Sequence, residues 1–546
     1  MNRNHSVGSL SIGTANGVAL LVGFVSIPVL FRLLGPAGFG DYTFLLSVFA
    51  IYMIFVSSGI ADGVRTFLAE DRSTANWEPH VVGYYFRLAV LFTFTGAFVL
   101  FLGSRNGFVA ALFGEEYTIY FYGLALLGIS VQFQTYSRKA LLGFGLKRHS
   151  GLLDALDKVA FVAVSIPLVY FGFGVPGALA GHAVASLVCG VVGLTLIHRR
   201  VSLSSVFRIP PREFPRKKML TFNSMTVVLL FLLASLYHID IIVLQQFHES
   251  AAVGNYRAAL LLAEFIWFVP IALQIGYVRS TSELWSRNRL DEITALASKT
   301  TRYTLLLTAI IAVGIAALAD VVVPIYFGPD ATPAIEPLLL LLPGVLGFAL
   351  ARPVLAISQV EGALRYPVLA TAGAAGINVV LNYLLIPGYG MHGAAVATTI
   401  SYGSMFVFHW FSAQRIGFDP LADARFGRVT ATTALAAVPI FALATVVANP
   451  WLALLLVPPF GLLVYLVFAV LTGAMEPAEP FEVLAEFPAP IGPQAEPIRG
   501  RLEGVNGDLT VVGWFQSMLF LAGMTLLLSG VLLAMFGPDT GVPVFG

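Results

Sequence analysis

Several ionisable residues in this sequence stand inside or at the ends of long apolar runs, among them Arg32, Lys158, Asp240, Arg257, Glu264 and Arg352. A charge in hydrocarbon is costly, so it persists where it is paired, reaches the interface, or handles a charged ligand or ion. Arg257 and Glu264 are seven residues apart, which puts them on one helix face about 10 Å apart along the axis. Glu264 lies near the middle of its run, where snorkelling reaches poorly. It can therefore hold an ion, and a buried salt bridge to Arg257 is the structural alternative. Asp240 could pair with Arg257 instead. Lys158 follows Asp154 by four residues, the helical pairing distance, and can contact a substrate or snorkel as an ion pair. Arg352, about five residues from the end of its run, has the same two options. Arg87 opens a run and reads as an interface anchor.

Other chemistries lack their residues. No G-x-x-x-x-G-K-[ST] occurs, so no nucleotide engine is expected. The nine histidines are scattered, without H-E-x-x-H, and the one cysteine, Cys189, lies in an apolar run. Neither a metal site nor a disulfide framework is expected, and no cofactor. The Gly-Phe-Gly triplets at 38–40, 143–145 and 172–174 read as hairpin turns or close helix contacts rather than phosphate loops. A membrane glycosyltransferase needs acidic residues on an outer loop, which Asp41 could supply. It also needs a large outer loop or domain, and the longest, about 104–118, is too short. The chain is not expected to be an enzyme.

The elements that must carry these residues are transmembrane helices. Hydrophobic residues make up 58% of the 546 and charged residues 11%, against roughly 45–50% and about 25% in soluble domains. Mean hydropathy is +0.84. A spanning helix needs about 20 mostly apolar residues, and the runs are of that length without the alternation of a barrel strand. Fifteen spans are expected: 9–31, 42–63, 82–103, 119–137, 151–171, 175–197, 220–245, 253–277, 304–326, 335–357, 367–386, 390–412, 430–448, 451–473 and 512–536. Asn449-Pro450 is the only turn signal between the thirteenth and fourteenth. With the N-terminus in the cytoplasm, 25 of the 31 Lys and Arg fall in cytoplasmic segments, while only Arg32 and Arg105 fall outside. That asymmetry predicts the orientation.

The chain also repeats itself. Ala37-Gly38-Phe39-Gly40-Asp41-Tyr42 recurs as Ala251-Ala252-Val253-Gly254-Asn255-Tyr256, and Gly172-Phe173-Gly174-Val175-Pro176-Gly177-Ala178 as Gly388-Tyr389-Gly390-Met391-His392-Gly393-Ala394, at offsets of 214 and 216. Six spans separate the copies, so both have one orientation. This predicts two parallel six-helix bundles, 1–198 and 219–412, joined by a basic cytoplasmic linker, 199–218. An extra helix pair, 430–473, follows. Residues 474–511 hold six prolines and seven acids and read as a cytoplasmic linker to a final helix and tail, 512–546.

Three stretches resemble a known family. Phe31-Arg32-Leu33-Leu34-Gly35-Pro36 through Gly40-Asp41-Tyr42 is similar to its R-x-L-G-P-x-x-Y/F-G-x-Y hairpin. Ser58-Gly59-Ile60 is followed by Arg65 and Ala69-Glu70. The most specific is Asn378-x-x-x-Asn382-x-x-x-x-Pro387-x-x-Gly390-x-x-Gly393-Ala394-Ala395-x-Ala397-Thr398. Over about 1–412 the chain resembles the polysaccharide and oligosaccharide flippases (Wzx type), of the superfamily that also contains the MATE exporters and the lipid II flippase.

The resemblance implies a MATE-like, all-α polytopic fold in the cell membrane. It implies a lipid flippase for a phosphate-linked lipid-oligosaccharide, with membrane lipid as surroundings, H+ or Na+ as coupling ion, glycan-assembly enzymes as partners and no nucleic acid. Arg257, Arg352, Lys158 and Arg32 would then contact the phosphates, and Glu264 with Asp240 would serve ion coupling. A MATE-type cation-coupled exporter is the alternative, kept open by those two acids. A non-transporting scaffold for glycan assembly would leave the basic residues without a role.

Overall fold

The computed structural model describes residues 3–479 except 71–75, 203, 205–206, 208–209, 212–213, 269, 271–280, 282–283, 362–364 and 477–478, with the backbone alone at 3–21, 225 and 359–361. Every regular element among the described residues is helical, as hydrocarbon demands of backbone that must satisfy its own hydrogen bonds. Nine stretches among them are long and apolar enough to cross a membrane. Val22–Ala69, Lys147–His198 and Arg365–Ile416 run for 48, 52 and 52 residues, twice what one crossing of about 20 residues needs. Each is broken by glycine in the left-handed region, at Gly35, at Gly172 and Gly174, and at Gly390. Taken as two crossings each, they bring the nine stretches to twelve spans. Helices Tyr117–Gly143 and Ser250–Glu264 fall on two more of the expected spans. The fifteenth, 512–536, lies outside the described residues.

The expected turn between the thirteenth and fourteenth spans is there. Asn449 caps helix Pro450–Leu471, its side chain accepting from the backbone N–H groups of Trp451 at 2.9 Å and Leu452 at 3.2 Å. Proline at the first helical position adds nothing that needs a partner.

The repeat is written in the backbone as well as the sequence. Gly174 has φ 51°, ψ −138° and Gly390, 216 positions later, φ 54°, ψ −132°. A Cβ disfavours that conformation, so both copies need glycine there.

The chain divides into two compact units, 1–257 with 382–391, and 258–381 with 392–546. The first has a core of Val64, Phe67, Tyr85, Tyr136 and Leu141. It is fixed by bonds from Trp77 Nε1 to the Phe67 carbonyl at 2.9 Å and from the Tyr136 hydroxyl to the Val82 carbonyl at 2.8 Å. Its Trp77–Arg105 helix exposes Leu91, Phe94 and Phe98, a surface suited to lipid rather than water. The second unit is centred on Leu306, Ala436, Val457 and Tyr465. Ala474 and Met475, at the start of the stretch expected as a linker, belong to that core, and Glu479 is buried.

Candidate functional site

In the first unit the two copies of the repeat meet. A Cβ on Gly40 would stand 1.8 Å from the carbonyl oxygen of Ser250, and one on Gly254 2.0 Å from that of Pro36. Ser250 and Pro36 are themselves equivalent at the 214-residue offset, so the contact is symmetric. Beside it lies a polar network. Asp41 Oδ1 accepts from the Tyr117 hydroxyl and, at 2.5 Å, from Ser250 Oγ. Gln245 Nε2 donates to the Tyr117 hydroxyl at 2.8 Å and to Ser250 Oγ at 2.9 Å. Asp41 thus accepts two hydroxyl bonds from neighbouring segments, which holds the ends of several spans together.

The repeat-equivalent tyrosines Tyr42 and Tyr256 each bond a buried polar partner. The Tyr42 hydroxyl lies 2.6 Å from His182 Nε2. The Tyr256 hydroxyl donates to Asp240 Oδ2 at 2.5 Å, and Asp240 Oδ1 accepts from the Ile241 N–H at 2.8 Å. Asp240 is fully buried. Arg257, next to Tyr256, is half-buried on the same Ser250–Glu264 helix that carries Glu264. Arg32 is exposed, three residues before the Gly35 break.

The expected pairing of Lys158 with Asp154 is not what forms. Arg138, from helix Tyr117–Gly143, takes Asp154 as its partner. Lys158 Nζ lies 3.8 Å from Asp157 Oδ2 instead, with 43% of its side chain exposed. A guanidinium from a neighbouring helix outcompetes a lysine four residues away because it brings several fixed donors. Lys158 keeps a loosely held, accessible ammonium.

In the second unit Glu264 closes an α-helix that continues as a 3-10 turn, Phe265–Trp267. Such a change of winding within a span is a frequent hinge. Arg352, on helix Ile335–Glu361, is half-buried. Its Cζ stands 5.0 Å from the Phe348 ring centroid and 5.5 Å from that of Trp267, within cation–π range. Trp267 Nε1 donates to the Val345 carbonyl at 3.1 Å.

Sequence reasoning found the charges and missed what fixes them. Phe348 and Arg352 are four apart on one helix, a spacing that signals contact. Trp267 carries no comparable signal, because its approach depends on how separate helices pack. Among the described residues no three His, Cys, Asp or Glu side chains come together as metal ligands.

Comparison with known proteins agrees with this architecture. The family model "Polysaccharide biosynthesis protein" matches residues 7–269, and "Lipid II flippase MurJ" matches 169–461, more than half of the chain. The chain is 22% identical, over 84% of its length and 94% of the relative's, to the probable low-salt glycan biosynthesis flippase Agl15 of Haloferax volcanii. Among solved structures, the lipid II flippase MurJ in an inward closed conformation superposes with a TM-score of 0.65 at 14% identity, covering 84% of this chain and 98% of that one. An inward-facing multidrug resistance MATE transporter gives 0.60 at 15% identity, covering 73% and 94%. Charges embedded in a two-copy helical repeat, a MATE-like fold and these matches lead to one assignment: the chain belongs to the polysaccharide and oligosaccharide flippases of the MOP superfamily, alongside MurJ and the MATE transporters.

Proposed function

We propose that this protein turns over a lipid that carries a sugar chain through one or two phosphates, from the cytoplasmic to the outer leaflet, by alternating access. The lipid tails can stay in the bilayer while the head crosses, and the phosphates need fixed positive charge in a low-dielectric path. The observation that supports this reading is that an arginine sits half-buried on a helix in each unit, Arg257 on Ser250–Glu264 and Arg352 on Ile335–Glu361. Lys158, accessible and loosely held, and Arg32, exposed beside a helix break, are further cations of the first unit suited to phosphate. The name of the Haloferax relative, a glycan biosynthesis flippase, supports the cargo class.

The test is leaflet distribution of a labelled lipid-linked oligosaccharide in vesicles with and without the protein. Arg257→Ala and Arg352→Ala should each slow turnover while expression stays near normal. Arg→Lys should rescue only partly, since lysine keeps the charge and loses the two-pronged grip. Full activity in the double alanine variant would remove these residues from the head-group path. The second reading, a cation-coupled exporter of small molecules, is favoured by the fully buried Asp240. It predicts transport of a lipophilic cation by the same vesicles and indifference to the arginine substitutions.

A further inference from the structure

The two hairpins of the repeat differ in chemistry. Gln246, Phe247, His248 and Glu249 stand at the 214-residue offset from Arg32, Leu33, Leu34 and Gly35. Where the first copy carries a cation, the second carries an amide. Where the first has leucines and a glycine, the second has an aromatic ring, an imidazole and a carboxylate. The two copies touch, since a Cβ on Gly254 would meet the Pro36 carbonyl. A cavity of about 590 Å³ lies at the second, lined by Gln246, Phe247, His248, Glu249 and Ala252. That is the size of a small-molecule site, and all five residues belong to the first unit.

His248 has a fixed tautomer. Its Nε2 lies 2.7 Å from the Ile386 carbonyl oxygen, which can only accept, so Nε2 carries the proton. The neutral ring then offers Nδ1 as an acceptor. The imidazole also rests against Gly390, where a Cβ would come 3.3 Å from Cε1. Phe247 is 46% exposed, and Gln246 and Glu249 are exposed on either side of it in sequence. None of the five lining residues is a lysine or arginine, so the cavity suits a neutral ligand rich in hydroxyls rather than a phosphate. An amide both donates and accepts, an imidazole nitrogen and a carboxylate accept from hydroxyls, and an aromatic ring covers an apolar C–H face. We propose that this cavity binds a sugar ring of the cargo, with Phe247 against its face and His248 Nδ1 and Glu249 accepting from its hydroxyls. This rests on the flippase reading above and gives the sugar, as distinct from the phosphate, a place in the first unit.

The test is saturation-transfer NMR on the full chain in lipid nanodiscs. The probe is the free sugar chain released by mild acid from the lipid-linked oligosaccharide of the membranes that hold the protein. Binding of polyprenyl phosphate is measured on the same preparation. The unchanged protein should bind both. Phe247→Leu and Glu249→Ala should each weaken sugar binding about tenfold, the size of one lost contact of this kind, and leave polyprenyl phosphate binding unchanged. Glu249→Gln should recover most of the loss, because an amide oxygen still accepts. Both side chains are exposed, so these variants keep the core intact. Sugar affinity indifferent to both substitutions would overturn the proposal, as would an equal loss of polyprenyl phosphate binding. Displacement of the sugar chain by an equal concentration of choline would make ring and carboxylate a cation site and overturn the assignment to sugar. An unchanged protein that binds polyprenyl phosphate and not the sugar chain overturns only this inference, whereas one that binds neither overturns the flippase reading itself.

Discussion

Arg302 and Glu479, 177 positions apart, meet in the second unit with Nη2 2.5 Å from Oε1, and their side chains are only 2% and 7% exposed. Arg302 Nη1 also bonds Asp423 Oδ2 at 3.0 Å. Next to them Arg425 holds the Gly473 carbonyl at 3.1 Å and Glu476 at 2.8 Å. The stretch that follows helix Pro450–Leu471 is therefore tied to this unit at Gly473, Glu476 and Glu479.

That tie has a consequence for stability. Two buried charges repay their desolvation only while both are present, and removing one costs about 3–5 kcal/mol. Glu479→Ala should lower the midpoint of thermal unfolding in detergent well beyond what Glu476→Ala does, since Glu476 is half exposed. The double variant Arg302→Met/Glu479→Leu should regain most of the loss. Unfolding of Glu479→Ala at the temperature of the unchanged protein would show that the pair contributes nothing.

The contact between repeat copies makes a different demand, one of space. Methyl groups at Gly40 and Gly254 would drive into backbone carbonyls, which cannot rotate away as side chains can. Gly40→Ala and Gly254→Ala should each cost stability, by about 1–3 kcal/mol or more as overpacking does. Gly103→Ala is the control: nothing lies within 4 Å of a Cβ there, and alanine is the better helix former. Equal midpoints for all three variants would mean the two copies do not need to approach so closely.

Much of this was legible in the sequence because it depends on local chemistry. Apolar runs longer than a soluble helix needs gave the spans, and Asn449-Pro450 gave a turn whose cap is now seen. The glycine-rich matches at 172–178 and 388–394 gave the repeat, since only glycine tolerates the dihedrals shared by Gly174 and Gly390. What could not be read depends on which helices become neighbours. The spacing of Asp154 and Lys158 suggested a pair until Arg138 arrived from another helix. Arg302 was one of many basic residues assigned to cytoplasmic segments, and nothing local marks it as fully buried by a glutamate from the acidic stretch. Trp267 reads as one more apolar residue of a span until it is found against Arg352.

The orientation expected from the charge split can be checked directly. A reporter fused after residue 210, 290 or 490 should be cytoplasmic, and one after 110 or 330 should be outside, because 25 of 31 basic residues lie in the segments assigned to the cytoplasm. Fusions at 290 and 490 on opposite sides would mean an odd number of crossings between them.

The proposed ion-coupling role of Glu264 leads to the most discriminating measurement. Turning a lipid-linked glycan over in one direction requires either its consumption on the far side or coupling to a gradient. On the proposed reading the driver is an ion gradient. A carboxylate near mid-membrane can carry a proton or Na+ in one conformation and pair with a cation in another. Ion and cargo then bias one two-state equilibrium, provided each binds the two states unequally. The position suits that role, because Glu264 stands where the α-helix gives way to the 3-10 turn Phe265–Trp267. Glu264→Gln should leave unfolding temperature intact, keep slow downhill turnover, and abolish the response to an imposed pH or Na+ gradient. If the residue serves only to neutralise a neighbouring arginine, the same variant strands a buried charge and stability falls. Both quantities can be read from one preparation in vesicles. A less stable variant that still answers the gradient would leave Glu264 a structural partner and place the coupling site elsewhere.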